Sequence, residues 1–328
     1  ATFASQPISL FLLQSLLRSL RVARSVRPDL VMAGSGVTAP HALLASRLLG
    51  VPMLVYLHGL DLIADHPLYR RVFLPCIRRC QGALVNSHHT ARLAEQSGIA
   101  APRIHVLHPG VDLPAALECI DTTTFRSALG VGDRPILLSV GRLTIRKGLR
   151  EFIRHALPLI VNAHPDMLLL IVGGEANEKL GAGRPRVGEA ILKEAADHGL
   201  ISQVRLLGRI DDATLAQAYR ASQLHVFPVM DLPGDVEGFG MVALEAAAHG
   251  LPTVAFRVGG VPDAVAEGRS GILIPSGDYP AMASAILTYL DDRCPMLTAT
   301  SCRQFASQLT WRQFGERLRG ICSDYIGR

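Results

Sequence analysis

Several signatures are missing from this 328-residue chain, and each absence removes a class of function. None of the six cysteines, at 76, 80, 119, 294, 302 and 322, forms a Cys-x-x-Cys pair. They read as reduced, half-buried residues of a cytoplasmic protein. No stretch reaches about 18 uninterrupted apolar residues, and no basic-then-apolar leader opens the chain, so no membrane span or secretion is expected. The twelve histidines contain no His-Glu-x-x-His and no Cys/His ligand spacing, so no metal is expected. Low-complexity tracts and internal repeats are also absent. Charge is mildly basic, +5 with a sequence pI near 9.0, and the arginines are scattered. Small anionic ligands or an acidic membrane surface fit that balance, and nucleic acid is not required.

What is present fits a two-domain enzyme. At roughly 150 residues per domain the length suggests two, and 49% hydrophobic residues suffice for a core in each. Short apolar runs alternate with helical stretches. The runs Leu30–Ala33, Met53–His58, Ala83–Asn86, Ile104–Leu107, Ile136–Val140, Leu168–Val172, Val204–Leu207, Leu224–Pro228, Thr253–Phe256 and Ile272–Ile274 are expected to be strands. Most lack polar alternation, the pattern of parallel strands covered on both faces by helices. Two doubly wound α/β domains follow. Proline and glycine cluster at Pro109–Pro114, where a hinge is expected. The expected division is 1–112, 113–311, and a terminal helix over 312–328 packing back on the first domain.

Two segments of the second half carry chemistry. Gly234 to Gly250 sets Glu237 and Glu245 eight residues apart around a glycine-marked helix start, with the helix expected over Phe239–His249. Glycines at 238 and 240 let a backbone approach a ligand, and the first N–H groups of a helix suit a phosphate. The two acids would flank that phosphate without touching it and accept hydrogen bonds from hydroxyls, which suggests a sugar nucleotide. An ordinary amphipathic helix with a solvated acid at each end fits the same residues. The second segment, Ser139 to Gly148, runs from a strand end into a loop with Arg142, Arg146 and Lys147. Arg142 can hold a phosphate bidentately and Lys147 can act as a mobile point charge. A solvated basic loop is the alternative.

The run Gly141–Gly148, Leu206-Leu207-Gly208-Arg209, the segment Glu237–Glu245, and Gly259-Gly260-Val261-Pro262 followed by Gly271-Ile272-Leu273-Ile274-Pro275 resemble the retaining GT-B glycosyltransferases of family 4. Tyr56-Leu57-His58-Gly59-Leu60-Asp61 and Asn86-Ser87 resemble that family's first domain. The Asp235–Gly240 variant is similar to phosphatidylinositol mannosyltransferase-like members. The resemblance implies two Rossmann-like domains facing across a cleft. It implies that Arg142 and Lys147 serve the donor diphosphate, Glu237 the transferred sugar, Glu245 the ribose, and His58 the reacting sugar. It also implies that Gly141, Gly238, Phe239, Gly240, Met241 and Val242 line the donor, with Arg209 and Ile210 beside the base. The strand and glycine-rich loop that open such enzymes ahead of the Leu10–Val26 helix are missing from this sequence, so the first domain is expected to be truncated.

The implied activity is hexosyl transfer from a UDP- or GDP-linked sugar to a glycan or lipid-linked acceptor, in cell-surface polysaccharide or glycolipid synthesis. No cofactor is implied, and the lack of Asp-x-Asp agrees with metal independence. Glu237 is a candidate nucleophile on charge alone. The family favours front-face attack, which gives Glu237 a positioning role, so its loss should spare binding of the free nucleotide. Arg18, Arg21, Arg24 and Arg27 interleave with apolar residues, and Arg70-Arg71 and Arg78-Arg79 add a second basic face. These suit either peripheral contact with an anionic membrane or a solvated helix face. The alternative functions are a non-catalytic nucleotide-sugar-binding module and a sugar-nucleotide epimerase.

Overall fold

A computed structural model describes residues 8–114, 120–175 and 186–326. The chain divides into two compact units, residues 1–108 with 314–328, and residues 109–313. The first unit holds a parallel sheet of β1 (Val31–Ala33), β2 (Met53–Leu57), β3 (Gly82–Val85) and β4 (Ile104–Val106), in that spatial order. The second holds β5 (Ile136–Val140), β6 (Leu168–Val172), β7 (Val204–Gly208), β8 (Leu224–Phe227), β9 (Thr253–Phe256) and β10 (Gly271–Ile274), all parallel. All ten expected strands form, with ends displaced by at most one residue. Pro228, which lacks an N–H for the ladder, falls just outside β8.

Both faces of the second sheet are buried, which is why its strands read as unbroken apolar runs. Leu137, Leu169, Ile171 and Val226 face one core, and Ile136, Leu138, Leu168 and Leu170 face the other. The spatial order is β10-β9-β8-β5-β6-β7. Strand order therefore reverses between β5 and β8. In such sheets ligands bind outside the carboxyl ends of the strands at that reversal. The segments leaving β5 and β8 are Gly141–Gly148 and Pro228–Gly240.

Three expectations change in detail. The helix expected over Phe239–His249 spans Met241–Ala248, because Gly240 adopts φ 104° and breaks the helical path. Phe239 is buried in the core instead. Residues 141–148 are not an open loop but close into a 3-10 turn at Ile145–Lys147. The basic helix expected over Leu10–Val26 runs from Ile8 to Val26. Among the described residues no helix is long and apolar enough to cross a membrane. Cys76, Cys80, Cys294, Cys302 and Cys322 are free thiols, and Cys119 lies outside the described residues.

Candidate functional site

Close backbone packing builds the site at the β5/β8 reversal. Gly141, at φ 143°, donates its N–H to the Val172 carbonyl at 2.9 Å. A side chain on Gly148, at φ 68°, would sit 1.9 Å from the Pro228 carbonyl oxygen. Glycine is therefore required where the 3-10 turn meets the chain leaving β8. The Met230 N–H donates to the Arg146 carbonyl at 2.8 Å and locks the two segments together. On the other side, Gly260 donates its N–H to the Glu237 carbonyl at 2.8 Å. A side chain on Gly260 would lie 2.1 Å from the Gly238 oxygen, so the Gly259-Gly260 pair is shaped to hold the backbone at Glu237.

These contacts assemble a group of four charges. Lys147 Nζ lies 2.8 Å from Glu237 Oε2, and an Arg146 guanidinium nitrogen lies 2.5 Å from the same oxygen. Arg146 Nε reaches Asp235 Oδ1 at 3.0 Å. Lys147 Nζ also stands 4.5 Å above the centre of the Phe227 ring. Burial on its own raises the affinity of Glu237 for a proton, but Lys147 and Arg146 outweigh it and hold the carboxyl below its usual range. Burial lowers the affinity of Lys147 for its proton, against the pull of Glu237. The contact between Glu237 and Lys147 was not among the expectations from sequence. Arg142 is exposed at the same turn, and its charge is felt at Lys147.

The Met241–Ala248 helix starts at Gly240, and its first N–H groups have no partner within the helix. Gly238, Met241 and Val242 are half-buried at this start. One to two turns further, Glu245 Oε2 accepts a hydrogen bond from the Tyr219 hydroxyl at 3.1 Å. Burial raises the Glu245 carboxyl above its usual range, the Tyr219 hydrogen bond opposes this, and Asp212 adds to it. Glu245 opens onto a pocket of about 270 Å³ lined also by Asp112, Asp212, Tyr219, Met241 and His249. Arg209 is exposed, with its side chain lying over the Gly174 backbone, and Ile210 packs at the core margin.

His58 belongs to the first unit. It follows β2, is exposed, and is oriented by two contacts: its N–H donates to Asp61 Oδ2 at 3.0 Å, and its Nε2 lies 3.1 Å from the Gly34 carbonyl. Its ring meets Tyr56 edge-on at 4.7 Å. A core histidine would be buried, and this one is not. Reading from sequence missed Asp235, Tyr219, Phe227 and the pairing of Arg146. Their adjacency to the site comes from strand order, and no local spacing signals it.

Comparison with known proteins follows the same division. Residues 2–114 match the family described as "Glycosyltransferase Family 4", and residues 134–292 match "Glycosyl transferases group 1". The D-inositol 3-phosphate glycosyltransferase 1 of Catenulispora acidiphila is 32% identical over 313 residues, covering 89% of this chain and 71% of the relative. The chain belongs to the family 4, group 1 glycosyltransferases. The GDP-mannose-dependent alpha-(1-6)-phosphatidylinositol monomannoside mannosyltransferase of Mycolicibacterium smegmatis is 32% identical over 244 residues, 73% of this chain and 61% of that relative. The chain thus spans less than two thirds of that mannosyltransferase. Among solved structures, Anabaena HepE in complex with UDP matches with TM-score 0.79 at 22% identity over 94% of this chain and 82% of that one. The sucrose-phosphate synthase of Thermosynechococcus elongatus matches with TM-score 0.75 at 21% identity, over 100% and 82%. These likenesses give the family member its GT-B fold.

Proposed function

We propose that this chain transfers a hexosyl group from a nucleoside-diphosphate sugar, with retention of anomeric configuration, to a glycan or lipid-linked acceptor. The observation that carries the reading is the pairing of Lys147 with Glu237 beside the open start of the helix that carries Glu245. Cations, the N–H groups of a helix start and two acids with different surroundings are laid out as a diphosphate, a sugar and a ribose require. Arg142 and Lys147 take the negative charge that grows on the departing diphosphate. Glu237 accepts hydrogen bonds from the sugar and favours positive charge on its ring. The bond from the anomeric carbon to the phosphate oxygen breaks, and the acceptor oxygen bonds to that carbon on the same face. The acceptor proton passes to the leaving phosphate. Glu237, engaged by two cations, serves as a positioning group and not as a nucleophile.

The base is read in the pocket beside Glu245. Asp112 and Asp212 line it with Glu245, and a carboxylate can accept the adjacent N1–H and N2–H donors of guanine together, whereas uracil offers a single N3–H between two carbonyls. A GDP-linked donor is therefore favoured, in keeping with the GDP-mannose dependence of the mycobacterial relative. Thermal unfolding with millimolar GDP and UDP tests this. A ligand at about 100 times its dissociation constant adds roughly 2.7 kcal/mol, so GDP is expected to raise the melting temperature measurably and UDP less. No shift with either nucleotide refutes the donor site. Product configuration from NMR of the glycoside tests retention.

A further inference from the structure

We propose that Arg146 is a positioning residue that holds and neutralises Glu237 while Lys147 is handed from Glu237 to the donor diphosphate; this rests on the donor reading above. Both cations end on one oxygen, Glu237 Oε2, but they are held differently. Arg146 is tied at three points, by Glu237 at 2.5 Å, by Asp235 at 3.0 Å and through its carbonyl by the Met230 N–H at 2.8 Å. Among the described residues the Lys147 ammonium has one carboxylate partner and the face of Phe227. A flexible stem makes Lys147 the movable charge, and the planar fork of Arg146 makes it the fixed one.

The charges make the hand-over workable. Arg146 and Lys147 balance Asp235 and Glu237. When Lys147 turns to a diphosphate, a half-buried Glu237 with no remaining counter-ion would face an approaching anion, an arrangement that is costly away from bulk water. Arg146 stays behind and prevents it. With an intact donor, sugar hydroxyls replace Lys147 on Glu237. With the free nucleotide nothing does, so Lys147 is pulled back and product release is favoured. Glu237 therefore competes with the diphosphate for Lys147, and Arg146 sets the strength of that competition.

The test is calorimetric titration of the full chain and its variants with GDP and with UDP. Glu237→Gln is expected to bind the nucleotide roughly three- to tenfold more tightly, because Lys147 is released. Arg146→Met is expected to bind it roughly tenfold more weakly, because Lys147 becomes the sole counter-ion of Glu237. The double variant is expected to bind like Glu237→Gln, within about twofold, since Arg146 acts through Glu237. Arg146→Lys keeps the charge but cannot span both carboxylates, so it falls between wild type and Arg146→Met and keeps the test valid if the methionine variant does not fold. Weaker nucleotide binding by Glu237→Gln overturns the proposal. So does an Arg146→Met deficit that persists in full in the Glu237→Gln background. A wild-type chain that binds neither nucleotide overturns the donor reading as well, whereas binding with the wrong pattern overturns the role of Arg146 alone.

Discussion

Glu245→Gln separates a ligand-binding acid from a structural one. Glu245 accepts a hydrogen bond from the Tyr219 hydroxyl at 3.1 Å, and burial raises its carboxyl above the usual range. The ionised form therefore weakens the fold, and the neutral amide keeps the Tyr219 contact without that cost. The variant is expected to be at least as stable as wild type at neutral pH. The sign follows from a raised folded-state value. Wild type recovers its deficit as pH falls, so the difference should be largest well above the folded-state value and vanish below about 4.5. Nucleotide binding should move the other way. Two ribose hydroxyls that donate to a carboxylate lose part of two charge-assisted hydrogen bonds, about 1.5–3 kcal/mol together, or roughly ten- to a hundredfold in affinity. Urea unfolding across pH and calorimetric titration with GDP measure both quantities on one preparation. A variant that is less stable yet binds GDP as wild type does would make Glu245 a residue of the fold and refute its assignment to the ribose.

Lys147→Ala should lower nucleotide affinity and turnover together, and Arg142→Lys should also impair both, because a point charge does not reproduce a planar fork; unchanged titrations for both would move the phosphate site elsewhere. His225 is fully buried, and burial followed by the charge of Lys147 lowers its imidazole to about 3. Its contribution to stability is complete above the unfolded-state value near 6.5 and declines as pH falls toward 3, at up to roughly 1.4 kcal/mol per pH unit. Unfolding curves at pH 7.5, 6 and 5 should show this slope in wild type and a shallower one in His225→Phe. Gly148→Ala should destabilise the second unit by about 3 kcal/mol or more, since the new carbon would lie 1.9 Å from the Pro228 oxygen at a positive φ. An unchanged melting temperature would contradict the packing described for that turn.

The sequence by itself determined what depends on neighbours along the chain. Runs such as Ile136–Val140 and Leu168–Val172 appear as strands because both of their faces are apolar, and that property is local. The end of the Met241–Ala248 helix is legible in Gly250, whose φ of 76° suits few other residues. Its start is only partly legible, since Gly240 and not Phe239 marks it, and a left-handed glycine is not distinguishable in sequence from a flexible one. Pairing across the sheet was beyond such reading. Only the spatial order that sets β5 beside β8 brings Arg146 and Lys147 to Asp235 and Glu237, which lie about ninety residues away in sequence. The same folding puts Tyr219 on Glu245 and Phe227 beneath Lys147. Periodicity and capping are encoded within a few residues, whereas an ion pair exists only once strand order and burial have fixed which charges share a low-dielectric space. For that reason the acids and cations could be named from sequence, but the grip of Glu237 on Lys147 could be seen only in the tertiary structure.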